Sequence, residues 1–320
     1  MKDSLEMLKI REFVKGNDEE VWIKLRNEAF KEYDDFRPCT MEDMEIWEND
    51  PGFDPVGMFI AEWNGEPVGR VEAYVDRERK DKKGYLRGLG IVPEFRRRGI
   101  GRRLAEKAIG SLEERGMETI QCWIRDDKPT VKHLFESLGF ELIRVFSSMR
   151  RDLNVLPSSL GENKDVVIRV MKEGEKDIEL LRKLVNEAFS EHFDFRPSTL
   201  EEWKHWFSHP DFDNEGWFIA SLEGKPVGHV GTWIDSKFVK YKGMKRGWID
   251  TIGALKPHRL KGIGTKLILR GMEYLREKGM IEVELGVDDL NQTEAIKLYE
   301  KVGFKVIRKD LTYQKKIVQV

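Results

Sequence analysis

The stretch RRRGIGRRL, Arg96–Leu104, and the stretch RLKGIGTKL, Arg259–Leu267, carry the same Arg-x-x-Gly-Ile-Gly core. Each stands where a run of helix-forming residues begins. A helix N-terminus exposes unpaired N–H groups and the positive end of the helix dipole. Glycines there let the backbone close on a phosphate without a Cβ in the way. One such loop reads equally well as a tightly packed helix cap. Two in one chain suggest a duplicated anion cradle.

The matches extend outward from the loops. NEAF at Asn27 returns at Asn186, and DFRP at Asp35 returns at Asp194. FIAEWNGEPVG from Phe59 returns as FIASLEGKPVG from Phe218. Gly90 then pairs with Gly253 and Gly99 with Gly262, after a gain of four residues in the turn near KFVKYKGMKRG. LFESLGF from Leu134 closes the series against LYEKVGF from Leu298. Ordered matches over nearly the whole of each half indicate a tandem domain duplication, with a period far too long for a solenoid. The Pro-, Ser- and Gly-rich stretch 154–165 predicts a linker between an N-terminal domain, 1–153, and a C-terminal domain, 166–320.

Within the second copy the periodicity predicts a strand at VVIRVM and a helix over EKDIELLRKLVNEAF. A second helix is predicted at TLEEWKHWF, with Thr199 as N-cap and Glu202 completing a capping box. A hairpin turning at Glu223-Gly224 follows, then a strand GWIDTIGAL and a long amphipathic helix that Gly279 ends. A strand, a helix and one or two closing strands complete it. Strands and helices in this order make an α/β unit with a mixed, α+β-type sheet, written twice.

The loop is not a Walker A motif, because Gly-Lys-Ser/Thr is absent. Nor is it a dinucleotide fingerprint, since its strand comes late, after a hairpin. An Arg-x-x-Gly-x-Gly loop after a strand, with AIKLYEKVGF downstream, resembles the GNAT N-acetyltransferase superfamily. The resemblance covers nearly the whole chain, and two such domains are similar to the tandem architecture of mycothiol synthase and its relatives. The resemblance implies acetyl-CoA as donor, its pyrophosphate on Arg259, Leu260, Lys261, Gly262, Ile263, Gly264 and Thr265. It implies strand contacts from Ile252, Gly253 and Ala254, and Tyr299 as the acid that protonates the departing thiolate. The amide that such proteins keep before this Tyr falls on Gln292 or on Asn291. An amine acceptor also needs a base. Strand alternation puts Asp250 on the face of Ile252, and His229 on the neighbouring strand is its rival.

The first copy keeps Arg96, Arg97, Arg98, Gly99, Ile100 and Gly101, which could still hold CoA phosphates or merely cover a helix end. Its partners for Tyr299, Asp250 and Gly286 are Phe135, Arg87 and Trp123, so catalysis is expected in the second copy alone. The resemblance points to 189–207 for the acceptor, including His192, Trp203, His205 and Trp206. Asp194 and Arg196 read instead as a salt-bridged corner, since DFRP survives in the first copy.

Charge and cysteine content narrow the partners. Lys and Arg number 56 against 58 Asp and Glu, which gives no electrostatic case for nucleic acid or an anionic membrane. Cys39 and Cys122 are too few for a disulfide framework or a zinc site, and neither has a base beside it in sequence. No metal is expected. No apolar run approaches the roughly 20 residues of a membrane span, and the start has no signal-peptide pattern. A cytoplasmic N-acetyltransferase acting by direct transfer in a ternary complex is the leading reading. A non-catalytic acyl-CoA sensor is the alternative, and an aminoacyl-tRNA donor a further rival. The duplication would supply a pseudo-dimer within one chain, which favours a monomer.

Overall fold

The computed structural model describes residues 7–157, 163–291 and 295–317. It divides into two units, Met1–Arg144 with Leu311–Val320, and Val145–Asp310. The first contains β1 (Leu8–Glu12), α1 (Glu19–Phe30), α2 (Met41–Glu48), β2 (Met58–Trp63), β3 (Glu66–Val75) and β4 (Lys83–Ile91). It continues with α3 (Ile100–Glu114), β5 (Thr119–Arg125), α4 (Pro129–Ser137) and the start of β6 (Glu141–Asp152). The second unit takes the rest of β6, then β7 (Val166–Val170), α5 (Glu175–Ala188), α6 (Leu200–Phe207), β8 (Trp217–Leu222) and β9 (Lys225–Trp233). After these come α7 (Ser236–Lys242), β10 (Arg246–Ala254), α8 (Ile263–Glu277), β11 (Glu282–Asp288), α9 (Ala295–Lys301) and the start of β12 (Lys305–Lys316).

By its contacts the first unit ends at Arg144, within β6; of the expected linker 154–165, residues 158–162 lie outside the described residues. Met149 and Leu153 are fully buried in the second unit's core, and the Leu153 N–H donates to the Ile281 carbonyl. Two such side chains contribute about 1.5–3 kcal/mol each, which is ample reason for the strand to stay there. The closing strand of the chain joins the first unit in turn. Tyr313 is buried there with its hydroxyl on Glu136, and the Ile317 N–H donates to the Glu118 carbonyl. Each unit is therefore completed by a strand that the other repeat encodes.

In the second unit the strand order is β7-β8-β9-β10-β11-β6, parallel only between β10 and β11. The local structure follows from the chain. Glu223 and Gly224 both take positive φ between the paired Leu222 and Lys225, the two-residue turn that matches strand twist. Thr199 and Glu202 form the predicted capping box at α6. Leu267, Ile268, Met272 and Leu275 put one buried stripe of α8 against the sheet, and Gly279, at φ 82°, ends the helix region. The four extra residues of the second copy fall in a stretch that contains the short helix α7 and not a plain turn; Asp235 caps it and Gly243 closes it in the left-handed region. The closing element is one strand.

Candidate active site

β10 and β11 are paired only at Arg246↔Glu282, Gly247↔Val283 and Trp248↔Glu284. Beyond that point each keeps its other neighbour: β10 runs along β9 to Ala254↔Gly228, and β11 along β6 to Asp288↔Phe146. The two strands thus part, and a cavity of about 510 Å³ opens at the gap. Gly286 lies two residues past the last pair and lines the cavity. A Cβ there would meet nothing within 4 Å, so this glycine fronts open space.

The loop between β10 and α8 forms one end. Leu260 and Gly262 take φ of 60° and 78°, and Gly262 is the N-cap. The Lys266 N–H donates to the Gly262 carbonyl, so the amides of Ile263, Gly264 and Thr265 have no acceptor within the helix. Leu260, Gly262, Ile263, Gly264 and Thr265 all line the cavity, as do Ile252, Gly253, Ala254 and Asn291. Lys261 does not, and stands exposed on the loop. Gln292 falls outside the described residues.

Arg259 lines the cavity, but its guanidinium is already engaged. Nε donates to the Ala254 carbonyl at 3.2 Å and Nη2 to the Ala188 carbonyl at 2.9 Å, while Nη1 meets Glu191 at 3.2 Å. Arg96 repeats this in the first copy, on the Ile91 and Ala29 carbonyls and Glu32. The motif arginine is thus a clasp that ties the loop to the preceding strand and helix, and that role explains why both copies keep it.

Asp250 sits where the β9–β10 ladder slips, between Ile249↔Thr232 and Thr251↔Gly231. Strict alternation therefore does not carry through to Ile252, but both residues line the cavity. The Asp250 side chain opens onto the cleft, yet the protein around it withholds much of its solvation, and desolvation pushes the carboxyl up to about 6. Tyr299 is buried on α9 and lines the same cavity, with its ring 6.1 Å from that of Phe304. Burial pushes its phenol well above the usual range, so it keeps its proton at neutral pH. His229 is fully buried behind Gly253 and outside the cavity wall. Its Nε2 is 3.1 Å from the Thr251 hydroxyl, and desolvation pushes it down to about 3, which leaves a neutral ring.

Of the residues considered for the acceptor, His192 lines the cavity, and so does Phe189. Trp203 is instead buried, its indole N–H on the Ser198 hydroxyl at 2.7 Å, and Trp206 packs on Trp233. Neither of these, nor His205, lines the cavity. Arg196 makes the corner salt bridge, with Glu202 of the capping box, just as Arg37 pairs with Asp43 in the first copy. Sequence reasoning missed Phe146, Asp288, Lys297 and Lys301, all of which line the cavity. The two lysines were visible as a pair four apart on the helix of Tyr299; nothing in the spacing signalled Phe146.

The first copy has the same loop backbone, with Arg97 at φ 66° and Gly99 at φ 79°. There β4 and β5 also part, after Tyr85↔Gln121. Trp123 stacks on Tyr85 at 5.4 Å, and the Arg87 guanidinium lies 3.6 Å over Tyr74 and 5.3 Å over Tyr85. Arg98 spreads over Trp63 and Phe95. Phe135, in the place of Tyr299, is buried edge-on against Phe140. Burial raises both cysteine thiols, which keeps them protonated. Among the described residues, no cluster of three or more His, Cys, Asp or Glu side chains could hold a metal, and no helix is long and apolar enough to cross a membrane.

The sequence profile of the Acetyltransferase (GNAT) family matches residues 22–140 and again 178–304. The mycothiol acetyltransferase of Thermobispora bispora is 30% identical over 227 residues, 71% of this chain and 75% of that one. That of Acidothermus cellulolyticus is 28% identical and 82% of each chain is covered. Among solved structures, a GCN5-related N-acetyltransferase from Sphaerobacter thermophilus aligns with a TM-score of 0.72 at 24% identity, covering 98% of this chain and 96% of that one. A tandem GNAT protein from the clavulanic acid biosynthesis pathway aligns at 0.71 and 16%, covering 98% and 99%. These two likenesses show the fold.

Proposed function

The chain belongs to the acetyltransferase (GNAT) family and is an N-acetyltransferase, and from that premise we propose that it acetylates a small-molecule amine in the cleft of its second unit. The observation that carries this reading is the single cavity wall on which the phosphate-type loop, Asp250 and Tyr299 meet. The residues fit acetyl-CoA. Free amides at the start of α8, with Lys297 and Lys301 nearby, suit a polyphosphate. The strand gap faced by Gly286 suits an extended arm.

Acetyl-CoA supplies an acetyl group activated as a thioester. The chain's own residues position it and move protons. Gly253 and Ala254 present strand backbone to the gap. Asp250 accepts a proton from the incoming ammonium, which a carboxylate poised at about 6 does well at neutral pH. The N–C bond forms as the C–S bond breaks. Tyr299 gives its proton to the departing sulfur. Overall the ammonium loses two protons, one to the thiol and one through Asp250 to water. No covalent enzyme intermediate is needed, in keeping with two protonated, partly or fully buried thiols. His229 is too enclosed to serve as the base. The relatives named mycothiol acetyltransferases make a small-molecule amine the acceptor class of choice.

The first copy, with its gap occupied by Trp123, Tyr85 and Arg87, acts as a structural partner. The test is thiol release from acetyl-CoA against a panel of amines, in wild type, Asp250→Asn and Tyr299→Phe. Amine-dependent release that collapses in both variants supports the reading. Release untouched by either variant contradicts it.

A further inference from the structure

The cavity wall has two chemically different sides. Alternation along β9 distinguishes them: a Cβ on Gly228 would meet Leu267 and Ile263 of α8, whereas the next residue, His229, lies by Gly253 and Phe189 at the end of α5. On the α8 side stand the loop and α9, with Gly264 against Leu298, and with Lys297, Tyr299 and Lys301. On the α5 side stand rings. Phe189 lies 4.3 Å from His192, and both line the cavity. Phe146 completes this wall, its ring 6.3 Å from Phe193 in the segment after α5. It is half-buried. In register with Phe146 on β11 is Asp288, which lines the cavity as Asp250 does.

We propose that this ring-lined side is the acceptor pocket, that it takes a primary amine bearing an apolar group of aromatic size, and that Phe146 sets this preference. The inference rests on the acetyltransferase reading above. With the donor's polyanion on the cationic α8 side, the amine must reach the thioester from the other face of the sheet. Its ammonium then meets Asp250, while the body of the molecule faces Phe146 and Phe189. Aromatic faces favour both a cation and an apolar group. A polyhydroxylated amine would leave hydroxyls without partners against those rings. Phe146 reaches the site only because β6, from the first repeat, completes the second unit. It is a specificity residue and moves no proton.

The experiment compares phenethylamine with glucosamine as acceptors in wild type, Phe146→Ala and Phe146→Leu, by thiol release. Calorimetry of phenethylamine binding to the CoA-loaded protein runs beside it. The expected kcat/KM ratio favours phenethylamine by about 10-fold or more in wild type. Phe146→Ala should cut that ratio about 10-fold through the amine KM, with the acetyl-CoA KM unchanged. Phe146→Leu, which keeps apolar bulk, should retain most of it and controls for folding. Equal use of both amines by wild type, or a ratio indifferent to Phe146→Ala, overturns the proposal. If neither amine is turned over, phenethylamine binding that Phe146→Ala abolishes keeps a ring-lined binding pocket but overturns its role as the acceptor site. Absence of such binding in wild type removes the pocket itself.

Discussion

In the first copy Trp123 lies flat on Tyr85, ring planes 9° apart, at the place where the second copy has Gly286 facing open space. Around both positions the loop and the parting of the strands are alike, although the ladder slips between Arg87 and Gly90 in the first copy and at Asp250 in the second. The strands part after equivalent pairs, Tyr85↔Gln121 and Trp248↔Glu284. The loops carry left-handed residues in the same places, and each motif arginine grips the same two kinds of carbonyl. The copies differ in what the frame holds. One has Trp123 stacked on Tyr85 with the Arg87 guanidinium beside them; the other carries a raised carboxyl and a protonated phenol. Even the buried position on the third strand of each unit differs, Arg70 in one and neutral His229 in the other. The difference teaches that the motif loop by itself reports fold, and that the contents of the gap report chemistry.

The sharpest way to break this comparison is to remove the proton-transfer groups. Asp250→Asn and Tyr299→Phe should each lower kcat by about 10²–10⁴-fold, read as thiol release. In wild type, kcat/KM should rise with pH through about 6, as Asp250 loses its proton, and this limb should vanish in Asp250→Asn. The same raised value has a stability consequence. The unfolded chain releases this proton at lower pH, so the stability that the protonated form confers is lost as pH rises from the unfolded value through about 6. Asp250→Asn should therefore leave the melting temperature at neutral pH no lower, and a clear fall would assign Asp250 a structural role.

Next in size, Gly286→Trp copies the first unit's plug into the second. It should raise the acetyl-CoA KM by about 10²-fold or abolish saturation, as a large ring displaces the arm of the donor. Arg259→Ala and Arg96→Ala should act alike, each losing charged hydrogen bonds of about 1–3 kcal/mol and lowering the melting temperature by several degrees. A fall for Arg259 alone would break the clasp equivalence. Smallest of all, Phe135→Tyr should change turnover less than about 2-fold, because a phenol in the plugged unit meets no donor.

Most of the fold was legible because duplication repeats every signal. The hairpin at Glu223-Gly224, the capping box at Thr199 and the stop at Gly279 are local, and local chemistry decides them. The unit that β6 and the last strand each complete was not legible. A polar stretch marks 154–165, but Met149 and Leu153 bury in the second core, and no pattern within β6 says which core that is. Phe146 was missed for the same reason. The loop and β10 residues that line the cavity were readable from the motif, whereas the engaged state of Arg259 needed the carbonyls that long-range packing brings to it. Asp250 was found by alternation, although a slipped ladder and not alternation sets its surroundings.

The most direct test of one working cleft is amine-dependent thiol release from acetyl-CoA by Tyr299→Phe and by a first-copy variant, Arg98→Ala with Phe135→Leu, side by side. The account predicts collapse in the former and wild-type turnover in the latter. Turnover that survives Tyr299→Phe but disappears with the first-copy changes would place the chemistry in the other unit and contradict it.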